Sequence, residues 1–158
     1  MDRASQKLEK RERIRAAAWQ LFTQQGFEKT TTKAVAERAR VATGTLFLYA
    51  PDKLDLLFMV IHDELERVID ESTANLPTRG LVDQLMHVFG ALFHMYARHP
   101  ELAAAFLRAT PARKGPNGQR VDSLTFGFFQ RLGRLVQEAK ERGEVRPDVE
   151  TILTAQCA

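Results

Sequence analysis

Apolar positions recur with the spacing of a helix face along the whole chain, and no stretch alternates in the manner of a strand. From about Gln6 to Gln25, Ile14, Ala18, Leu21 and Phe22 fall at i, i+4, i+7 and i+8, which predicts an amphipathic helix stopped by Gly26. Lys10, Arg11 and Arg13 are expected to turn mostly away from its apolar face. The hydroxyls of Thr30, Thr31 and Thr32 offer caps for a short helix to about Ala39, with Ala34, Val35, Ala36 and Ala39 as small packing residues. Arg40, Val41 and Ala42 make a tight connection to a second short helix, Thr43 to Tyr49. Pro51 ends it, because its ring disfavours the α conformation at Ala50.

Asp52 is a good cap for a long helix to about Asn75 with a stripe of Leu54, Leu57, Phe58, Ile61, Leu65, Val68 and Ile69. A linker, Leu76 to Gly80, precedes a helix from Leu81 to Arg98 that is apolar around most of its circumference and is therefore expected to lie centrally. Pro100 opens a short helix to about Ala109. Thr110 to Gly118, with two prolines and two glycines, reads as loop, and a long helix from about Gln119 to Arg142 stops at Gly143. Pro147 and Asp148 start a last helix, in which Val149, Ile152, Leu153 and Cys157 hold an apolar stripe that stops at Ala158 without a cap. The expectation there is a chain cut within that helix.

A hydrophobic share of 44% with 27% charged residues suits a soluble globular chain of one domain, or of a small domain fused to a larger one. The longest apolar stretch free of formal charge, Gln84 to Ala97, is too short to span a bilayer and contains His87 and His94. Residues 1–15 are charged and lack the apolar core of a signal peptide, so a cytoplasmic location with no membrane partner is expected. One cysteine, Cys157, leaves neither a disulfide nor a thiol cluster for zinc.

Charge is unevenly spread. Residues 1–60 carry 11 Lys and Arg against 7 Asp and Glu, a net +4, while residues 61–158 carry 12 against 13, a net −1. Two short helices joined by three residues, preceded by a basic segment, match the helix-turn-helix plan, in which the second helix enters the major groove. Thr31 and Thr45 stand at helix starts, where they can cap, donate to a phosphate, or do both. Gly44 permits close approach, and Thr43 and Leu48 are the positions expected to meet base edges. Arg3, Lys7, Lys10, Arg11, Arg13 and Arg15 form either a solvated face or a phosphate-tracking arm.

The segment IRAAAWQLFTQQGFEKTTTKAVAERARVATGTLFLYAPDKLDLL, Ile14 to Leu57, resembles the DNA-binding domain of the tetracycline-repressor (TetR) family of bacterial regulators. It shares the alanines followed by LF, the glycine and aromatic, TT, then GTL, an aromatic, Y and a downstream K. The resemblance implies an all-α fold: a three-helix DNA-binding domain over residues 1–50, and a helical ligand-binding and dimerisation domain over 51–158 that breaks off in its penultimate helix. It makes Thr43 to Tyr49 the recognition helix, puts backbone contacts at Thr31, Thr45, Tyr49 and Lys53, and implies a homodimer, when the C-terminus is complete, on a double-stranded DNA operator. An unidentified small-molecule effector would bind in the body and shift the helix Asp52 to Asn75 as a lever. No cofactor or metal is implied.

Four positions depart from the family pattern. Arg40 stands where glycine is common, at about 1 kcal/mol if that residue is left-handed. Ala42 replaces a common capping serine, so the cap shifts to Thr43 or is lost at about 1 kcal/mol. Phe47 replaces a tyrosine and is read as packing, and Ala50 replaces a larger apolar residue.

The aromatics Phe58, Phe89, Phe93, Tyr96, Phe106, Phe126 and Phe129 are core or pocket lining, which periodicity does not separate. Phe93, Tyr96 and Phe129, with His62 and His94 as polar handles, are the candidate effector contacts. No phosphate-binding loop, nucleophile elbow or dinucleotide fingerprint is present, so no enzyme is expected. His62 and Glu66 lie i, i+4 but are too few for a metal site. The rival reading is a helical small-molecule carrier or interaction protein without operator binding, against which the basic head argues.

Overall fold

A computed structural model of the chain describes residues 2–148. Among them seven α-helices follow one another: α1 (Arg3–Gln25), α2 (Thr32–Arg38), α3 (Thr43–Phe47), α4 (Lys53–Ala74), α5 (Leu81–Arg98), α6 (Pro100–Ala109) and α7 (Pro116–Glu141). A 3₁₀ turn, Thr110–Ala112, separates α6 from α7, and the described residues contain no strand. The fold is all-α, as the periodicity requires. No helix among the described residues is long and apolar enough to cross a membrane. Pro147 and Asp148 lie in a turn, while the stripe of Val149, Ile152, Leu153 and Cys157 lies outside the described residues.

Two boundaries differ from expectation. α1 begins at Arg3, not near Gln6, because its charged first turns consist of good helix formers that need no buried face; Leu8 there is exposed. α7 begins at Pro116, inside the stretch expected as loop. Proline suits a helix's first turn, and the free N–H groups of Asn117 and Gly118 donate to the buried Asp55 carboxylate at 3.0 and 3.2 Å. That cap comes from a residue 62 positions away, which no local pattern reveals.

The chain packs as two compact units. The first comprises residues up to 64 together with 96–121. Its core takes Ile14, Ala18 and Phe22 from α1, Val35 and Ala36 from α2, Leu46 from α3, Leu56 to Ile61 from α4, and Leu102 and Phe106 from α6. Phe58 meets Phe106 edge to face with ring centroids 5.9 Å apart. The second unit comprises residues 65–95 and the described residues from 122 on. There Leu65, Val68, Ile69, Val88, Leu92, Met95, Phe128, Leu132 and Leu135 are buried, and Phe89 meets Phe128 edge to face at 6.0 Å. This division by packing differs from the expected 1–50 and 51–158 division by role.

Within the first unit a charged hub ties α1 to α4. Arg11 grips Asp63 with both guanidinium nitrogens, at 2.9 and 3.0 Å, while Arg15 and Arg120 lie 3.6 and 3.9 Å from the same carboxylate. Arg11 is thus turned inward, contrary to expectation, because a bidentate partner waits on α4. Burial pushes the Asp63 carboxyl up, but the hydrogen bonds from His62 and Arg11 and the surrounding positive charge outweigh it. They hold the group well below the usual carboxylate range.

A carboxyl lowered by folding contributes stability above its unfolded pKa of about 4 and loses it as pH falls. Asp63→Asn should therefore lower the urea midpoint at pH 7, and the gap between variant and parent should narrow progressively below about pH 4. A gap independent of pH would show that the hub works by shape alone.

Candidate nucleic-acid interface

Thr31 caps α2: its Oγ1 accepts the Ala34 N–H at 3.1 Å, which leaves its own exposed O–H free to donate outward. Capping and anion contact are therefore compatible at this residue. At the other end of α2, the Val41 N–H donates to Ala36 O at 3.0 Å and the Arg40 N–H to Glu37 O at 3.1 Å. These paired bonds define a Schellman motif, whose left-handed position glycine usually fills. Here Arg40 fills it, with φ of 54°. The same motif closes α7, where Gly143 takes the left-handed position, with φ of 75°. Arginine accepts at α2 a strain that the chain avoids at α7.

The connection then enters α3 at Ala42, an N-cap residue with no side-chain hydrogen bond, so the cap is lost and Thr43 does not replace it. Leu46 and Ala50 are fully buried and anchor the segment. Thr43, Gly44, Phe47 and Leu48 are exposed, while Thr45 and Tyr49 are half-buried. Leu48 is 83% exposed, an unusual position for a leucine in a packed head. Phe47, expected as packing, is 43% exposed, because the helical turn that buries Leu46 points its neighbour outward. A Cβ built on Gly44 meets nothing within 4 Å. The fold itself therefore gives no reason for glycine at a helical position where alanine is favoured by about 1 kcal/mol.

Lys53 stands at the start of α4 and is partly committed. Its Nζ donates to Phe27 O and Glu28 O, both at 3.1 Å, and sits 4.5 Å from the centre of the Phe27 ring. Two of its three N–H donors thus fasten the turn after α1 to α4, and one remains for an anion. In the basic arm, Arg11 and Arg15 face Asp63, whereas Arg3, Lys7, Lys10 and Arg13 are exposed.

Residues 14–60 match the sequence profile of bacterial regulatory proteins of the tetR family. Over these residues the chain is similar to the tetR family. Among curated proteins, the HTH-type transcriptional repressor KstR of Rhodococcus jostii (strain RHA1) is 38% identical over 101 residues, which is 64% of this chain and 47% of that protein. The chain spans about half the length of the curated relatives it matches. A TetR transcriptional regulator from Rhodococcus sp. RHA1 shares the fold with a TM-score of 0.70 at 23% identity, over 82% of this chain and 70% of that one. Thermus thermophilus FadR, a TetR family repressor solved with lauroyl-CoA, aligns with a TM-score of 0.57 at 27% identity, over 89% and 73%.

The candidate effector residues fall in both units. His62 is buried with its Nδ1 3.0 Å from Asp63 Oδ1, and Tyr96 stacks on Phe106 at 6.4 Å, both in the first unit. Phe93, His94 and Phe129 belong to the second unit and are exposed, Phe93 to 70%. A cleft of about 390 Å³ in that unit is lined by Asp70, Thr73, Leu76, Arg131, Arg134 and Leu135, and by none of the five. His62, Asp63 and Glu66 have ligand atoms within 4.8 Å of one another, but Asp63 already faces three guanidinium groups that repel a cation. Sequence spacing missed Asp63 as the third member, because its meaning depends on Arg11 arriving from α1.

Two substitutions measure the local irregularities. Ala42→Ser should stabilise the head by about 1 kcal/mol by restoring a cap. Arg40→Gly should stabilise it by roughly 0.5 kcal/mol, the relief of left-handed strain less the added freedom of the unfolded chain. Urea unfolding at low and moderate salt checks both; a destabilised Arg40→Gly would mean that the arginine side chain makes stabilising contacts in the fold.

Proposed function

We propose that this protein is a sequence-specific transcriptional regulator, a repressor released from its operator by a small-molecule effector. Residues 1–50 bind DNA, and residues 51–158 carry effector binding and regulation. The observation that carries this reading is the outward face of α3. Thr43, Gly44, Phe47 and Leu48 are exposed together, and Gly44 has no internal reason to be glycine. A major groove supplies the reason, since a helix without a Cβ at that point can approach base edges closely. Thr31, Thr45, Tyr49 and Lys53 position the head on phosphates, and Leu48 meets a thymine methyl.

The protein acts as a homodimer on a near-palindromic site, with half-sites matched at one separation only. An effector that binds two arrangements of the body unequally, moving α4, changes that separation and so the affinity. Long-chain acyl-CoA is the effector class to test first, because the Thermus thermophilus FadR structure holds lauroyl-CoA. Phe93, His94 and Phe129, which are exposed, are candidate effector contacts, and His62 and Tyr96 remain the other two candidates. The reading involves no enzymatic step, no cofactor and no membrane, and places the protein in the cytoplasm.

Selection of bound sequences from a random DNA pool should return a near-palindrome. Binding to it should weaken with salt with a log–log slope on the order of −7, for about eight phosphate contacts at about 0.9 counterions each. A slope near zero on the best DNA found would refute DNA binding. Gly44→Ala should leave stability equal or up to about 1 kcal/mol higher while weakening operator binding tenfold or more. Lys53→Ala should weaken binding to all sequences alike and also lower stability by about 1 kcal/mol, since it fastens the turn after α1. Lauroyl-CoA titrated into the protein–operator complex should release DNA, and unchanged affinity would discard that effector class alone.

A further inference from the structure

Three features leave α3 without local support. Its five residues are far too few for a helix that persists alone. Its first residue follows an alanine that supplies no side-chain cap, and the connection before it passes through left-handed Arg40. Leu46 anchors its middle and Ala50 is buried beyond it, and a polar tie also holds its far end.

At that end the Tyr49 carbonyl accepts a hydrogen bond of 2.8 Å from Asn117 Nδ2. The second proton of the same amide goes to Asp55 Oδ2 at 2.6 Å. Asp55 Oδ1 accepts the backbone N–H groups of Asn117 and Gly118. Asp55 and Asn117 are 2% and 4% exposed, so the carboxylate trades water for three N–H donors and the amide spends both of its own. The approach is close: a Cβ on Gly115 would collide with the Asp55 carboxylate, so glycine alone fits there. One buried point thus joins the end of the reading segment, the first turn of α4 and the first turn of α7, all within the first unit.

We propose that Asp55 and Asn117 are positioning residues for DNA reading. The pair sets the orientation of α3 by holding its exit at Tyr49, and it makes that orientation depend on where the first turn of α7 stands. A displacement of α7 reaches the reading segment directly, through Asn117, as well as through α4. The inference rests on the DNA-binding reading above.

The test uses the full chain and Asn117→Ala, with two measurements. The first is native-state amide exchange, comparing Leu48, Tyr49 and Ala50, whose N–H groups bond within the α3 turn, with Val35 and Ala39 in α2. The second is the ratio of operator to random-sequence affinity. Protection at 48–50 should fall at least tenfold while α2 is unchanged, and the ratio should fall at least tenfold while random-sequence binding persists, since phosphate attraction does not depend on helix orientation. If Asn117→Ala does not fold, Asn117→Ser carries the same test, because its single donor can serve Asp55 or Tyr49 but not both. Equal loss of protection in α2 and α3, or an unchanged ratio, would overturn the proposal by reducing the pair to a general stabiliser. A parent protein that binds no DNA would refute the functional reading, while the exchange measurement would still decide whether the joint holds α3.

Discussion

A carboxylate withdrawn from water must be given donors, and Asp55 receives three: two backbone N–H groups at the start of α7 and the side-chain amide of Asn117. Much of the first unit depends on this arrangement. It starts α7 three residues before the apolar pattern does, requires Gly115, and fixes Tyr49 through the remaining proton of Asn117. An acid in the first turn of a helix commonly complements that helix's own dipole. Here the acid of α4 serves the N-terminus of another helix, so one side chain joins two elements.

The segment from α2 to α3 gives up local stability and recovers it through such long-range ties. Arg40 holds a left-handed position where the comparable turn after α7 uses Gly143, and Ala42 leaves α3 uncapped. Against these stand the full burial of Leu46 and Ala50, the Lys53 ammonium fastened to two carbonyls and the Phe27 ring, and the bidentate grip of Arg11 on Asp63. Strain retained at exposed positions while buried positions are well satisfied is the pattern of a segment shaped for something outside the fold. Gly44 fits that pattern, since its open surroundings make it a cost to the helix alone.

Charge follows the same division. The +4 of residues 1–60 is not all available to a polyanion, because Arg11 is spent on Asp63, Arg15 on Glu12 with Asp63 nearby, and part of Lys53 on carbonyls. Arg3, Lys7, Lys10 and Arg13 remain exposed along α1, so the arm is part structural tie and part solvated cationic face. A count of charges could not make that separation, since the partner of Arg11 lies 52 residues away and those of Lys53 about 25.

Helical periodicity, proline and glycine punctuation and cap residues determined the helices themselves. Those signals act within one or two turns, and α5 and α6 have the bounds they prescribe. The motif from Ile14 to Leu57 likewise placed α2 and α3, and the Asp52 cap is present as a 2.7 Å bond from the Asp55 N–H. Only tertiary structure decided that Phe47 is exposed, that Arg11 turns inward, that Lys53 is partly engaged, and that α7 begins on a carboxylate from α4. Each of these depends on a partner tens of residues away or on which side of a short helix meets the core. Local pattern carries no information on such meetings, because the energy that settles them is gained only when distant segments pack and surrender their water together.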